Sequence, residues 1–430
     1  MSDFSALLQS LSETSREPSW LRASRASALA QYEQAAAPIR TDEEWRRTDV
    51  SKFLVSDLSL AGTQTAASYR PEVWIPASPT LGGALFSGAL ADGVVFTSLG
   101  EAAKSHPDLV QKCLALQPRR AGSKLDHLAD ALWGGSIFLY VPPKVTLDLP
   151  LSAFAAASGR DWFQKILIVI DQQASANFWI DQFSADTRWV GSVCDVFVKE
   201  GGRLSFLNVQ RHSAQTTLLS TFNAVLERGA ALDLLTVETG SALAKEQWNL
   251  HLTGEGASAK AFGLVRASGK QHFDETLYVS HLKPRTQSEV LFKTVAADEA
   301  RSIFSGLIHV SKEAQKTSAY QTNRNLLLSK QARTDTIPKL EILADDVKCG
   351  HGAAVSSIDE DQIFYLMSRG MSRDLAKAVI VEGFYADVLG RFMREDSIKG
   401  GERDRIHDAV SQSIREILVG SSALYEASVS

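Results

Sequence analysis

One kind of turn recurs through the middle of this chain and constrains its fold more than any other feature. The segments DQQASANF from Asp171, KEGGRLSF from Lys199, ERGAALDL from Glu227 and TGEGASAK from Thr253 align on Gln172, Glu200, Arg228 and Glu255, at spacings of 28, 28 and 27 residues. Short β-branched and aromatic runs accompany the turns, such as Ile137 to Val141, Ile166 to Ile170 and Val193 to Val198. Runs of this length and composition, bounded by turn residues, read as strands. No amphipathic helix fits between the turns. A unit this small buries its apolar face only against its neighbours, so regular recurrence predicts stacking into a solenoid. We therefore expect a mainly β protein whose core, residues 136–357, is a parallel β-helix or a closely related β-solenoid. A β-sandwich built from the same short strands is the alternative.

Both flanks read as helical. Phe4, Leu7, Leu8 and Leu11 fall on one helical face. An Ala-rich stretch from Trp20 to Ala37 follows, ended by Pro38, and Thr41 with Glu44 has the spacing of a capping box. Trp45 is expected to anchor that short helix to the core. Residues 1–135 thus form a helical and mixed N-terminal domain, with a short strand at 93–97 and helical patterns around Leu109 and Leu128. Residues 358–430 form a helical C-terminal domain. There Ser357 and Glu360 make a second capping box, Ile363, Leu366 and Met367 an apolar stripe, Gly370 a stop and Ser372 the next cap. Ile406, Val410, Ile414 and Ile417 mark a last helix. Such a tail either packs on the solenoid, most plainly as a cap on its end, or docks a partner, and the two roles can coexist.

Composition excludes several classes of function. Net charge is −5, with Lys and Arg scattered, so there is no basic footprint for nucleic acid or an acidic membrane. Three widely spaced cysteines, Cys113, Cys194 and Cys349, argue against a disulfide framework and for a reducing compartment. The first fifteen residues lack the pattern of a signal peptide, and no apolar run approaches membrane-spanning length. The expected location is the cytoplasm.

The chemistry-bearing residues cluster near the end of the β region. Cys349 and His351 flank Gly350, and on a strand residues i and i+2 share a face, roughly 7 Å apart. Thiolate and imidazole suit iron–sulfur clusters, zinc or copper. Two ligands do not complete a site, and nothing nearby in the sequence offers more. A structural thiol beside a hydrogen-bonded turn histidine is the plain alternative for an isolated Cys-x-His.

No phosphate-binding glycine loop, HExxH, GxSxG elbow or paired CxxC occurs. His251, His272, His281 and His309 are scattered through the β region. Asp274, Lys283 and Arg285 make a β-helix polysaccharide lyase or hydrolase the competing reading, although such enzymes are usually secreted.

The run AYQTNRNLLLSKQARTDTIPKLEILADDVKCGHGAAVSSIDEDQIFYLMSRGMSRDLAKAVIVEGF resembles the SufB/SufD family of iron–sulfur cluster assembly proteins. Within that family ADDVKCGHGA is most similar to SufD. EEWRRTDV, GVVFTSLGEAAKSHPDLV and GGSIFLYVPPKVTLDLPL extend the resemblance over nearly the whole chain. It implies a right-handed parallel β-helix between helical domains and a non-catalytic scaffold subunit. It also implies pairing with SufB through the β-helices and binding of the SufC ATPase through the C-terminal helices. With SufB missing, the free face is available for a homodimer. By the same resemblance His351 matches a histidine acting with a SufB cysteine at the interface, and Cys349 is its neighbour. No cofactor is bound stably; a transient cluster is shared with SufB. Phe364, Tyr365 and Arg369 are the expected ATPase contacts. SufB itself is disfavoured, because SufB-type chains carry more cysteines than the three here.

Overall fold

Each repeat closes through two strands of about ten residues, one in each of two facing sheets. In the computed structural model, which describes residues 4–54, 58–60, 80–81, 84–85, 90–116, 124–147, 150–157 and 161–393, these strands run from Gly135 to Ser357. Odd and even strands separate into a nine-stranded and a ten-stranded sheet, each joined by parallel ladders throughout the repeat region. About seven full coils result. A solenoid forms rather than a sandwich, because each strand pairs with the strand one coil away instead of with its sequence neighbour.

The recurrent turn holds one corner of every coil. Main-chain N–H groups of Lys144, Gln173, Gly201, Gly229 and Gly256 donate to the carbonyls of Gln172, Glu200, Arg228, Glu255 and Pro284 in the next coil. Arg285 and Lys316 continue the series onto Gln315 and Asp346, so the ladder extends past the four turns visible by eye, at spacings of 29, 31 and 31 residues. The donors all occupy the left-handed region, with φ between 55° and 72°. Glycine enters that region without strain, which explains Gly201, Gly229 and Gly256.

Between the sheets, the inward side chains form continuous columns. Phe178 stacks on Phe206 in the ten-stranded sheet and Phe222 on Trp248 in the nine-stranded one, and Phe206 meets Phe222 across the core, with ring centroids 5.2–5.6 Å apart. The outer faces are apolar where helices cover them. The N-terminal helices Phe4–Thr14, Ser19–Gln34 and Lys124–Leu132 pack with Phe163, Leu167, Val193 and Phe197 of the nine-stranded sheet. Trp45 is buried there against Phe53. On the other side, the helix Arg373–Met393 lays Val381, Tyr385, Val388 and Leu389 over Leu207, Leu235, Phe262 and Leu291. Its Tyr385 hydroxyl donates to the Val265 carbonyl at 2.6 Å.

Two local expectations change. Thr41 caps nothing: Asp42 precedes a 3-10 turn, Glu43–Trp45, and its carboxylate accepts from the Ile39 N–H at 2.9 Å. Ser357 is the last residue of a strand, so its backbone belongs to the sheet. The helix Glu360–Ser368 is capped instead by Asp359, whose carboxylate accepts from the N–H groups of Asp361 and Gln362. By contrast, the helix Arg373–Met393 packs on the solenoid, along a sheet face. Gly370 does end its helix, at φ 94°, and the Ser372 hydroxyl caps the next through the Leu375 N–H. The helix expected around Ile406 to Ile417 lies outside the described residues.

Candidate functional site

The last coil supplies the edge strand of both sheets: Arg333–Ile342 borders the nine-stranded sheet and Lys348–Ser357 the ten-stranded one. Each pairs with the coil beneath and, among the described residues, has no strand above it. Alternation in a parallel ladder decides where the remaining groups point. The N–H groups of Lys348 and Ile358 donate inward to Thr317 and Leu327, so those of residues 349, 351, 353, 355 and 357 point out of the sheet. On the other edge, Arg333 and Leu343 donate inward. There Pro338 occupies an outward position and has no N–H to offer, the usual placement of proline on an edge. Tyr320, Ile342, Leu343 and Val355 add exposed apolar surface at this end.

Cys349 and His351 sit on the freer edge. Cys349 is paired with Ala319, which is fully buried, and it packs half-buried against the interior cluster. His351 pairs with the buried Gln321 and is itself exposed. Both side chains therefore lie on the inner face of the coil, at its open mouth. Gly350 lies on the outer face beside the Tyr320 ring. Burial pushes the Cys349 thiol up, opposed by a hydrogen bond with the Ala319 backbone. Cys113 and Cys194 are buried, and burial raises both thiols. Among the described residues no group of three or more His, Cys, Asp or Glu side chains is placed to hold a metal ion. The open mouth thus offers one thiol and one imidazole to whatever meets it.

The helix Glu360–Ser368 follows directly. Ile363 is fully buried and anchors it, whereas Phe364 is 74% exposed and Tyr365 56% exposed, with Met367 alongside. Arg369 lies over the Tyr365 ring at 5.2 Å and donates to its hydroxyl at 3.1 Å. An apolar, partly aromatic surface is so held in water by a rigid element, as interaction surfaces are.

The other singled-out residues are spread apart and engaged. Asp274 accepts from the Thr48 hydroxyl and pairs with Lys245 at 3.1 Å, on the wall of a cavity of about 590 Å³ between the 36–47 segment and the nine-stranded sheet. Lys283 and Arg285 belong to the turn ladder, where they pair with Glu313 and Glu255. His251 bonds Ser280, and His309 faces Glu341 at 3.3 Å. His272 lies 3.2 Å from the Thr48 hydroxyl, and burial lowers its pKa. His281 is buried between Thr286 and Ser288, and burial lowers it to about 4.

One buried group had escaped notice in the sequence. Glu238, Glu246 and Glu275 are fully buried on facing sheets, and no cation pairs with them among the described residues. Burial raises all three, Glu238 to about 7 and Glu246 and Glu275 well above the ordinary carboxylate value. Counting inward positions from the turn would have placed them between the sheets.

The fold is a parallel β-solenoid with helices on both outer faces and a last coil that, among the described residues, ends in two edge strands. The family model described as "SUF system FeS cluster assembly, SufBD core domain" matches residues 153–384, and the chain belongs to that family. Among curated relatives, the Bacillus subtilis SufD assembly protein is 29% identical over 406 residues, 89% of this chain and 92% of the relative. The Bacillus subtilis SufB assembly protein is 30% identical over 300 residues, 68% of this chain and 64% of the relative. A Staphylococcus epidermidis SufBD family protein is 28% identical over 298 residues, covering 68% and 64% respectively. The chain therefore spans less than two thirds of the SufB relative's length and nearly all of the SufD relative's.

Proposed function

We propose that this protein is the SufD-type scaffold subunit of a cytoplasmic iron–sulfur assembly complex. In this reading it pairs with a SufB-type subunit through the last coil and docks a SufC-type ATPase through Phe364, Tyr365 and Arg369. It performs no chemistry of its own. The observation that carries the reading is the strand Lys348–Ser357, which presents Cys349 and His351 at an edge with outward N–H groups and, among the described residues, no partner strand on that side. A thiolate and an imidazole are both known ligands of iron–sulfur clusters. Half a ligand set at an unpaired edge suits a nascent cluster that two chains complete and then release. Coverage favours SufD over SufB, because the SufD relative matches 89% of this chain and 92% of its own length, against 68% and 64% for the SufB relative.

The test is co-expression with SufB-type and SufC-type partners, followed by purification on a tag carried by this chain. Both partners should co-elute, and His351→Ala should retain them while cluster content and transfer to an apo-ferredoxin fall. A complex that forms and assembles clusters equally well with His351→Ala removes His351 from the site. Failure of any partner to co-elute removes the scaffold role.

A further inference from the structure

We propose that Gln321 is the positioning residue for His351: its side-chain carbonyl accepts the proton of one imidazole nitrogen and leaves the other nitrogen's lone pair directed out of the open mouth. The inference rests on the assignment of His351 to the assembly site and deepens it.

The column that ends in His351 carries the argument. Reading along the ladders of the ten-stranded sheet, its members are Phe178, Phe206, Leu234, Ala261, Val290, Gln321 and His351. Five apolar side chains fill the interior, and the chemistry changes one strand before the surface. A hydrocarbon would serve packing better there, since a buried amide needs partners. Gln321 is 1% exposed, and its Oε1 atom has no hydrogen-bond partner. Its Nε2 atom reaches only the Gly306 carbonyl, at 3.5 Å.

Gly306 shows that the amide is accommodated by the sequence. It lies on the facing sheet, and a Cβ built there would collide with the Gln321 amide. Its neighbours in that column are Leu277 and Pro338. The side chain of Gln321 thus crosses the core into a gap that glycine leaves. On the open side, His351 makes no hydrogen bond or ion pair with any described residue. Adjacent side chains of one column stand about 4.8 Å apart, within reach of an imidazole turning toward an amide.

Neutral imidazole has one donor and one acceptor nitrogen, and the hydrogen bond made by one fixes the role of the other. Gln321 is not ionisable, so it orients the ring without adding charge. Partners behind a ligating histidine act in this manner in metal sites generally.

The experiment uses the full chain labelled with ¹⁵N-histidine, with the His351 ring signals assigned by difference against His351→Ala. At about pH 8, above the ordinary imidazole range, native His351 should show one protonated-type and one lone-pair-type ring nitrogen. Gln321→Met keeps the volume and removes the acceptor, and should replace them by two averaged resonances. Gly306→Ala displaces the amide through a different residue and should do the same, which covers the case in which Gln321→Met does not fold. Gln321→Glu restores an acceptor and should restore the distinct pair. Averaged nitrogens in the native chain, or distinct ones retained in Gln321→Met or Gly306→Ala, overturn the assignment. These signals are read without any cluster, so their failure is separable from failure of the assembly role.

Discussion

The two ends of the solenoid are finished differently. At the N-terminal end the sheets continue into antiparallel strands: Val95–Thr97 pairs with Gly135–Val141, and Ala84–Leu85 with the Leu151–Ala157 strand. The N-terminal helices then cover the adjoining face. The C-terminal end stops on two ten-residue strands with no further strand beyond them among the described residues. An uncovered edge invites pairing with another chain, and proteins that must stay apart block it with proline, charge or a bulge. This end is blocked only in part, by Pro338 on one edge, while the edge that carries Cys349 and His351 keeps every outward N–H. Among the described residues the same fold thus closes one end and leaves the other with unpaired edges, the end that the proposed function assigns to assembly.

The largest effect should come from breaking the interior, where stacked columns hold the coils together. Phe206→Ala removes a fully enclosed ring and is expected to cost about 3–5 kcal/mol of stability, measured by urea denaturation. His351→Ala at the open mouth should shift the same curve by less than about 0.5 kcal/mol. Equal losses would mean that the mouth is as tightly packed as the middle.

The edge comes next. Ala353→Pro deletes an outward N–H without touching the internal ladder. It should weaken binding of the SufB-type partner at least tenfold, about 1.4 kcal/mol, by calorimetry. The melting temperature should fall by no more than a few degrees. Ala354→Pro, one residue on, removes an inward bond and should instead lower stability by roughly 1–3 kcal/mol. The contrast is set by ladder alternation alone.

The acid cluster separates the middle from the end in another way. Burial raises Glu238, Glu246 and Glu275, so the folded chain holds protons there that the unfolded chain gives up. Wherever the folded state binds more protons, stability falls as pH rises. The stabilisation is fully present below the ordinary glutamate value of 4.5 and is lost as pH climbs through about 7, where Glu238 titrates. A decline on the order of 1–3 kcal/mol between pH 5 and 8 is expected, followed by chemical denaturation. Glu238→Gln with Glu246→Gln should flatten it. A flat native profile would show that the carboxyls are charged and paired.

The smallest stability effect belongs to the exposed helix. Phe364→Ala with Tyr365→Ala should leave the melting temperature unchanged within a degree or two, yet weaken the ATPase partner by about 2 kcal/mol or more. Undiminished ATPase retention would move the docking surface elsewhere.

How much of this was legible in the sequence depended on distance along the chain. The turn ladder was visible because each corner needs a left-handed residue, and Gly201, Gly229 and Gly256 advertise it at constant spacing. The shared face of Cys349 and His351 followed from strand alternation over three residues. The caps at Thr41 and Ser357 were misplaced because the motif did not reveal where the preceding segment ended: the strand Lys348–Ser357 claims Ser357 and hands the cap to Asp359. The position of Arg373–Met393 on a sheet face was hidden, since the apolar stripe of a helix does not say what it meets. Gln321 and Gly306 meet across two sheets, and the carboxyl cluster joins three strands. Neither emerges until inward positions are counted coil by coil.

The central claim is that the last coil is an edge made for a second chain, and hydrogen–deuterium exchange tests it most directly. In the isolated protein the amides of residues 349, 351, 353, 355 and 357 should exchange fast, while those of 350, 352, 354 and 356 are protected. Adding the SufB-type partner should slow the first set by tenfold or more. A stable complex in which those five amides exchange as before would contradict the account.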